Sequence, residues 1–374
     1  MKISKFIILL IALISFTCCS QKKNNKITGS YSKIENKLDS LINRSTSEGF
    51  RGSVLVVKDN EILLNKSYGD KTFSTETAYW IGSMTKQFTA AAILRLQENY
   101  KLSVLDSIGK YLNNVPADKE GITIHHLLTH SSGLANNYIV DGIIDRDDAI
   151  SMILNSSLEF GIGEKYSYSA EGYNLLAILI ELVSEVSYED YMLNNFIEPL
   201  NLGKTGSWGF EKRSEIAIAA WNKPELIKTF QPTIFKEGQS QLNYGYKGAT
   251  GIFSTTENLF HWIKALRNNN ILLSDSKDLM FSPQTAVRGD LTNGTFYGYG
   301  WYIEYKDGKL REIRHGGAEA GGLGHNGIIR MYDNNDVILV LSNAGLYKGE
   351  GRLNGVEWGT VLSFGIRDLL ENKD

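Results

Sequence analysis

Ile81-Gly82-Ser83-Met84-Thr85-Lys86 opens an Ala- and Leu-rich stretch that runs to Asn99, in which Ala90, Ile93, Leu94 and Leu96 form one apolar stripe. That pattern predicts a helix from Ser83 to Asn99 with one face buried. Residues three apart on a helix share a face, so the Lys86 amine can fold back on the Ser83 hydroxyl. A serine hydroxyl is a weak nucleophile until a base removes its proton, and a lysine kept neutral by burial can be that base. A helix start also offers unpaired N–H groups and partial positive charge to a developing oxyanion. Taken alone, this spacing arises often by chance, and the same residues describe a helix cap beside a solvated lysine. Only the rest of the chain can decide between the two.

Outward from this helix, the neighbouring segments read as strands. Residues 52–58 and 61–64 are apolar runs flanking Asp59-Asn60, a hairpin signature. Ahead of them, Ile34, Leu38, Leu41 and Ile42 recur at helical spacing between residues 31 and 47. Strand signals return only late: residues 299–305 face 310–315 across Lys306 to Lys309, and 326–333 face 336–342 across Asn334-Asn335. A last helix is expected from Val356 to Leu370. The stretch between, about 103–235, carries helical patterns, most regularly from Tyr173 to Val186. The expected architecture is therefore an α/β fold of the α+β kind. Both termini build one antiparallel sheet flanked by helices, a mostly helical region is inserted, and the cleft between the two parts is the natural place for a site.

The ends and the composition narrow the class. Residues 1–19 read as a lipoprotein signal peptide, with Lys2 and Lys5 before an apolar run from Phe6 to Ile14 that is too short to span a bilayer. Cys18 or Cys19 then stands where a lipobox cysteine is acylated, residues 20–30 form a polar tether, and 31–374 form the folded domain. Both cysteines of the chain lie in this leader. The domain has no thiol for a disulfide, a metal or a nucleophile. A net charge of −3 and a pI near 6.1 leave no basic field for nucleic acid. The sequence is silent on oligomeric state.

Two further segments favour chemistry at Ser83. Tyr168-Ser169 follows a Gly-rich loop and precedes a helix, a position from which a phenol can enter a cleft and relay a proton. His315-Gly316-Gly317-Ala318 ends a predicted strand, where glycines admit a substrate backbone and the Ala318 N–H can serve as a second oxyanion donor. His125, His126 and His130 invite a zinc reading, but no carboxylate stands at matching spacing. His325 sits in a Gly-rich loop, where a cleft-lining role and an ordinary loop role are equally open.

Together these residues resemble the serine β-lactamase-related family: class C β-lactamases, DD-peptidases and the esterases that share their fold. Pairing S-x-x-K with a K-T-G strand is a general signature of such enzymes. The resemblance runs from about Gly52 to Asn343 and includes residues 122–134, 198–203, 248–255 and 297–301. It implies that Ser83, Lys86 and Tyr168 are the catalytic trio, with His315, Gly316, Gly317 and Ala318 on the substrate-binding and oxyanion strand. Neither Lys86 nor Tyr168 is singled out as the base. No metal and no organic cofactor are implied.

One position departs. The family's second motif usually reads Tyr-x-Asn, whereas here it is Tyr168-Ser169-Ala170. Ala170 can hold neither the lysine nor a substrate amide, and Asn174, one turn on, is the residue placed to substitute. Efficient lactam cleavage is thereby put in doubt, but acyl transfer at Ser83 is not. The expected activity is hydrolysis, through an acyl-enzyme, of an ester or amide: a peptidoglycan-type D-amino-acid peptide, a small ester or a β-lactam. The alternative is a catalytically silent penicillin-binding-like relative that binds muropeptide or a protein partner. An export signal with a lipid anchor implies work on the periplasmic face or at the outer membrane of a bacterium.

Overall fold

The computed structural model describes residues 29–69, 71, 73–207, 242–318, 324–344 and 357–371. The expected signal peptide, Cys18 and Cys19 lie outside these residues. So do most of the tether and the part of the helical stretch beyond 207.

Eleven strands are described, in two sheets. They are β1 (Gly52–Lys58), β2 (Glu61–Tyr68), β3 (Tyr79–Trp80), β4 (Gly206–Ser207), β5 (Ile252–Ser254), β6 (Thr285–Gly289), β7 (Gly294–Tyr297), β8 (Tyr302–Lys306), β9 (Lys309–Ala318), β10 (Asn326–Tyr332) and β11 (Val337–Ser342). The large sheet has the order β2-β1-β11-β10-β9-β8-β7-β6 and the small one β3-β5-β4. Every pairing is antiparallel. The large sheet is thus a meander from β6 to β11, closed by the N-terminal hairpin β1–β2 added beside β11. The turns follow from local chemistry: Asp59 and Asn60 (φ 51° and 65°) and Asp307 and Gly308 (φ 52° and 72°) take the left-handed conformation that two-residue hairpins require.

Side chains alternate across the sheet, and this separates two cores. From β1 and β11, Val54, Val56, Ile338 and Val340 face the back, where α1 (Gly29–Ser47) and a C-terminal helix (Trp358–Glu371) cover them with Leu38, Ile42, Trp358, Leu362 and Ile366. Leu55, Val57, Leu339 and Leu341 face the front, into the larger core. That core receives α2 (Lys86–Glu98), α3 (Ile124–Leu128), α4 (Arg146–Asn155), α5 (Ala170–Ser184), α6 (Tyr188–Met192), α7 (Thr256–Arg267) and α8 (Ser274–Phe281), and the C-terminal helix above is α9. Phe88 of α2 stacks on Trp262 of α7 with centroids 4.0 Å apart, which ties the sheet side to the helical side.

Several expectations shift. The helix predicted from Ser83 begins as a 3₁₀ turn over Gly82–Thr85, and the α-helix starts at Lys86. The strand expected from Tyr299 begins at Tyr302, because Gly300 (φ 79°) and a Gly298 N–H to Trp301 carbonyl bond fold residues 298–301 into a turn. Strands β3 to β7 are short or polar and gave no alternation to read. No described helix is long and apolar enough to cross a membrane.

Candidate active site

Strand β3 carries the chain directly into the 3₁₀ turn, and β5 fixes both. Trp80 pairs with Phe253, the Ile81 N–H donates to the Ile252 carbonyl, and the Ile252 N–H donates to the Thr85 hydroxyl. A 3₁₀ helix has three residues per turn, so Ser83 and Lys86 are aligned more directly than an α-turn would align them. The Lys86 Nζ lies 3.2 Å from Ser83 Oγ and donates to the Ala249 carbonyl at 3.0 Å. Ser83 remains partly accessible while Lys86 is fully buried. The amine lies over the ring of Tyr168 at 4.7 Å and of Tyr173 at 5.5 Å. Burial disfavours the ammonium and pulls its pKa down to about 7, opposed by the Glu171 carboxylate.

Tyr168 stands at the lip of α5. The buried His130 holds the residues on either side of it: its carbonyl accepts from the Ser167 N–H at 2.8 Å and its Nδ1 from the Ser169 N–H at 3.1 Å. The His130 ring lies 4.3 Å from that of Tyr168. Burial raises the Tyr168 pKa well above that of an ordinary phenol; the neighbouring Tyr302 adds to this and the Ser83 hydroxyl opposes it. His130 itself is pushed well below its usual value, first by burial and then by Lys86 and His315. His130 thus sits behind Tyr168 as a neutral support. His125 Nδ1 pairs with the Tyr299 hydroxyl at 2.8 Å and His126 Nδ1 accepts from the Thr123 N–H at 3.1 Å, so each of the three histidines has its own partner. No group of three or more potential metal ligands occurs among the described residues.

The end of β9 lies against the serine turn. A Cβ on Gly317 would fall 1.9 Å from the Ile81 carbonyl oxygen and 2.9 Å from the Ser83 nitrogen. One on Gly82, whose φ is 54°, would fall 2.8 Å from the Ala318 nitrogen. Both positions need glycine, because only bare backbone brings the Ser83 and Ala318 amides this close. His315 is buried; its Nδ1 donates to the Gly316 carbonyl at 2.6 Å, and its Nε2 pairs with the Tyr297 hydroxyl at 3.0 Å. Burial, with Lys86 nearby, lowers its pKa to about 3, so this strand presents a neutral ring. The structure therefore brings Ser83, Lys86, Tyr168 and the His315–Ala318 strand to one place.

Asn174 does not take the role left open by Ala170. Its Nδ2 donates to the Gly245 carbonyl at 2.9 Å, and the acceptor that Lys86 uses is the Ala249 carbonyl. Residues 248–249 are wedged in place: the Thr89 hydroxyl donates to the Gly248 carbonyl at 2.8 Å, and a Cβ on Gly248 would meet the Tyr173 carbonyl at 2.0 Å. Sequence reasoning missed this acceptor and Glu171, although the Gly-Ala-Thr-Gly run at 248–251 was a visible signal. His325 packs edge-on against Tyr79, with centroids 6.3 Å apart, in the loop after β9.

The chain is similar to known proteins. Penicillin-binding protein 4* of Bacillus subtilis (strain 168) is 28% identical over 315 residues, 79% of this chain and 68% of that protein. Among solved structures, the octameric penicillin-binding protein homologue from Pyrococcus abyssi superposes with a TM-score of 0.71 and 26% identity, covering 90% of this chain and 78% of that one. The D-amino acid amidase from Ochrobactrum anthropi SV3, complexed with D-phenylalanine, superposes with a TM-score of 0.72 and 17% identity, covering 91% and 99%. The family model described as Beta-lactamase matches residues 40–355. A match over so much of the chain leaves one conclusion: this protein belongs to the beta-lactamase family.

Proposed function

We propose that the protein is a serine hydrolase that cleaves an ester or amide of D-amino-acid type through an acyl-enzyme on Ser83. The observation that carries this reading is the Lys86 amine 3.2 Å from Ser83 Oγ, fully buried, with a pKa pulled down to about 7. Near neutral pH a large share of Lys86 is unprotonated. Its lone pair accepts the Ser83 proton while an N–H stays on the Ala249 carbonyl. Ser83 Oγ then attacks the substrate carbonyl carbon, and the oxyanion takes the N–H groups of Ser83 and Ala318. Tyr168, kept protonated by its raised pKa, gives its proton to the leaving group and is reprotonated by Lys86. Water resolves the ester by the same transfers in reverse. This assigns Lys86 as the base and Tyr168 as the proton donor, with no cofactor in the cycle.

Support for the substrate class comes from the penicillin-binding relatives and from the amidase complex with D-phenylalanine. Ala170 and the neutral His315 weigh against strong lactam recognition. The exported, lipid-anchored placement expected from Cys18 or Cys19 belongs to the same proposal, with peptidoglycan-derived peptides as substrates at a bacterial envelope. Intact mass after exposure to a fluorophosphonate, and separately to a penicillin, tests the chemistry. A covalent adduct on wild type and none on Ser83→Ala supports it. No adduct with either reagent, or equal labelling of Ser83→Ala, leaves the silent muropeptide-binding reading in its place.

A further inference from the structure

Residues 20–44 hold six basic side chains, Lys22, Lys23, Lys26, Lys33, Lys37 and Arg44, against two carboxylates, in a chain whose net charge is −3. One of those carboxylates, Asp39, is already engaged by Lys66 Nζ at 2.7 Å and by the Tyr68 hydroxyl at 2.8 Å. On α1, Lys33, Lys37, Ser40 and Arg44 are spaced four, three and four residues apart, which places them on one face. Together with Gly365, Asp368 and Leu369 of α9 they line an open groove. Among the described residues neither Lys33 nor Arg44 has a carboxylate within 4 Å. Beside the groove, α9 exposes Val361 (39%) and Phe364 (41%), two turns and one turn from Asp368.

We infer that this face of α1 and α9 is a membrane-facing surface that seats against anionic phospholipid headgroups and turns the catalytic cleft away from the bilayer. The inference builds on the proposed lipid anchor at Cys18 or Cys19. Gly29, the first residue of α1, lies eleven positions after Cys18 and ten after Cys19, so even a fully extended chain keeps the helix within about 40 Å of the bilayer. The anchor holds the chain near the bilayer, and a basic patch adds an attraction to an anionic surface that can orient it. The fold sets the orientation. Val54, Val56, Ile338 and Val340 point from the large sheet into the core under α1 and α9, whereas Met84, next to Ser83, packs in the core on the other face. A bilayer against α1 thus has the whole sheet between it and Ser83.

The test uses the chain from Ser20 onward, without acyl groups, so that surface binding is read apart from the anchor; every described residue is kept. Vesicles of phosphatidylcholine with phosphatidylglycerol should bind it at least roughly tenfold more tightly than phosphatidylcholine alone at low salt, and high salt should abolish the difference. Lys33→Gln with Arg44→Gln should weaken binding roughly tenfold or more. Lys101→Gln with Lys264→Gln, the same charge change elsewhere on the surface, should leave it unaltered. Equal binding to both vesicle types, or an equal loss in the control pair, overturns the surface. Fluorophosphonate should label Ser83 as fast on vesicles as in solution, and slower labelling on vesicles overturns the orientation. No labelling in either state would sink the hydrolase reading instead and leave the vesicle comparison to judge the surface.

Discussion

Lys86 and Arg330 are both buried, one on each face of the large sheet, and they are treated in opposite ways. On the back, Arg330 of β10 is 2% exposed and meets both oxygens of Glu312 at 2.6 Å, with Ser363 Oγ accepting from its Nε at 2.9 Å. On the front, Lys86 is 0% exposed and among the described residues finds only a hydroxyl, a backbone carbonyl and two tyrosine rings within contact. A buried charge is costly unless it is paired, and an unpaired group escapes the cost by giving up its proton. Arg330 is paired and serves the sheet. Lys86 has no carboxylate partner among the described residues, and the resulting shift in its pKa is what suits it to the base's role proposed above.

The largest expected effect breaks the front side of this contrast. Lys86→Met should lower the rate of ester hydrolysis by roughly 10³-fold or more, the order of effect of losing a positioned general base. Its melting temperature should hold or rise, since an uncompensated buried cation is removed. A melting temperature that falls steeply would mean Lys86 is structural. On the back side the effect reverses. Glu312→Ala strands Arg330 and should cost about 3–5 kcal/mol of stability by denaturant unfolding, with little change in activity per folded molecule.

Proton linkage sharpens the same contrast. In the folded protein Lys86 titrates at about 7, against 10.5 for an ordinary lysine. In the proposed cycle activity depends on the neutral amine, so it should rise about tenfold per pH unit below 7 and flatten above it, as read from kcat/KM against pH. Between pH 7 and 10.5 the unfolded chain binds the extra proton, so the stability penalty from Lys86 is full below 7 and fades towards 10.5. The gap in unfolding free energy between Lys86→Met and wild type should shrink over that window; a gap independent of pH would refute the shifted pKa. The smallest effect is expected at His130. His130→Gln, which offers the Ser169 N–H an acceptor but loses the ring against Tyr168, should lower kcat about tenfold with KM nearly unchanged.

How much of this was legible can be followed residue by residue. The hairpins at Asp59-Asn60 and Asn334-Asn335, the buried stripe of α2 and the pairing of Ser83 with Lys86 all rest on neighbours within a few positions, and each could be read from the chain. Strands β6 and β7 alternate weakly, and the two- and three-residue strands of the small sheet carry no period at all. Their existence depends on partners far along the chain, such as Trp80 with Phe253. Ala170 was legible as a departure, but its consequence was not. The Lys86 acceptor is the Ala249 carbonyl, 163 residues away, and a backbone atom leaves no mark in residue identity.

The sequence by itself determined which chemistry was available: a hydroxyl and an amine three residues apart, a phenol at the head of a helix, and a Gly-Gly strand end. These are properties of residue type and short spacing, which folding does not alter. Only the tertiary structure decided how those groups are charged. The neutral His315 and the shifted Lys86 are products of burial, and burial is a property of the assembled molecule, not of any one segment.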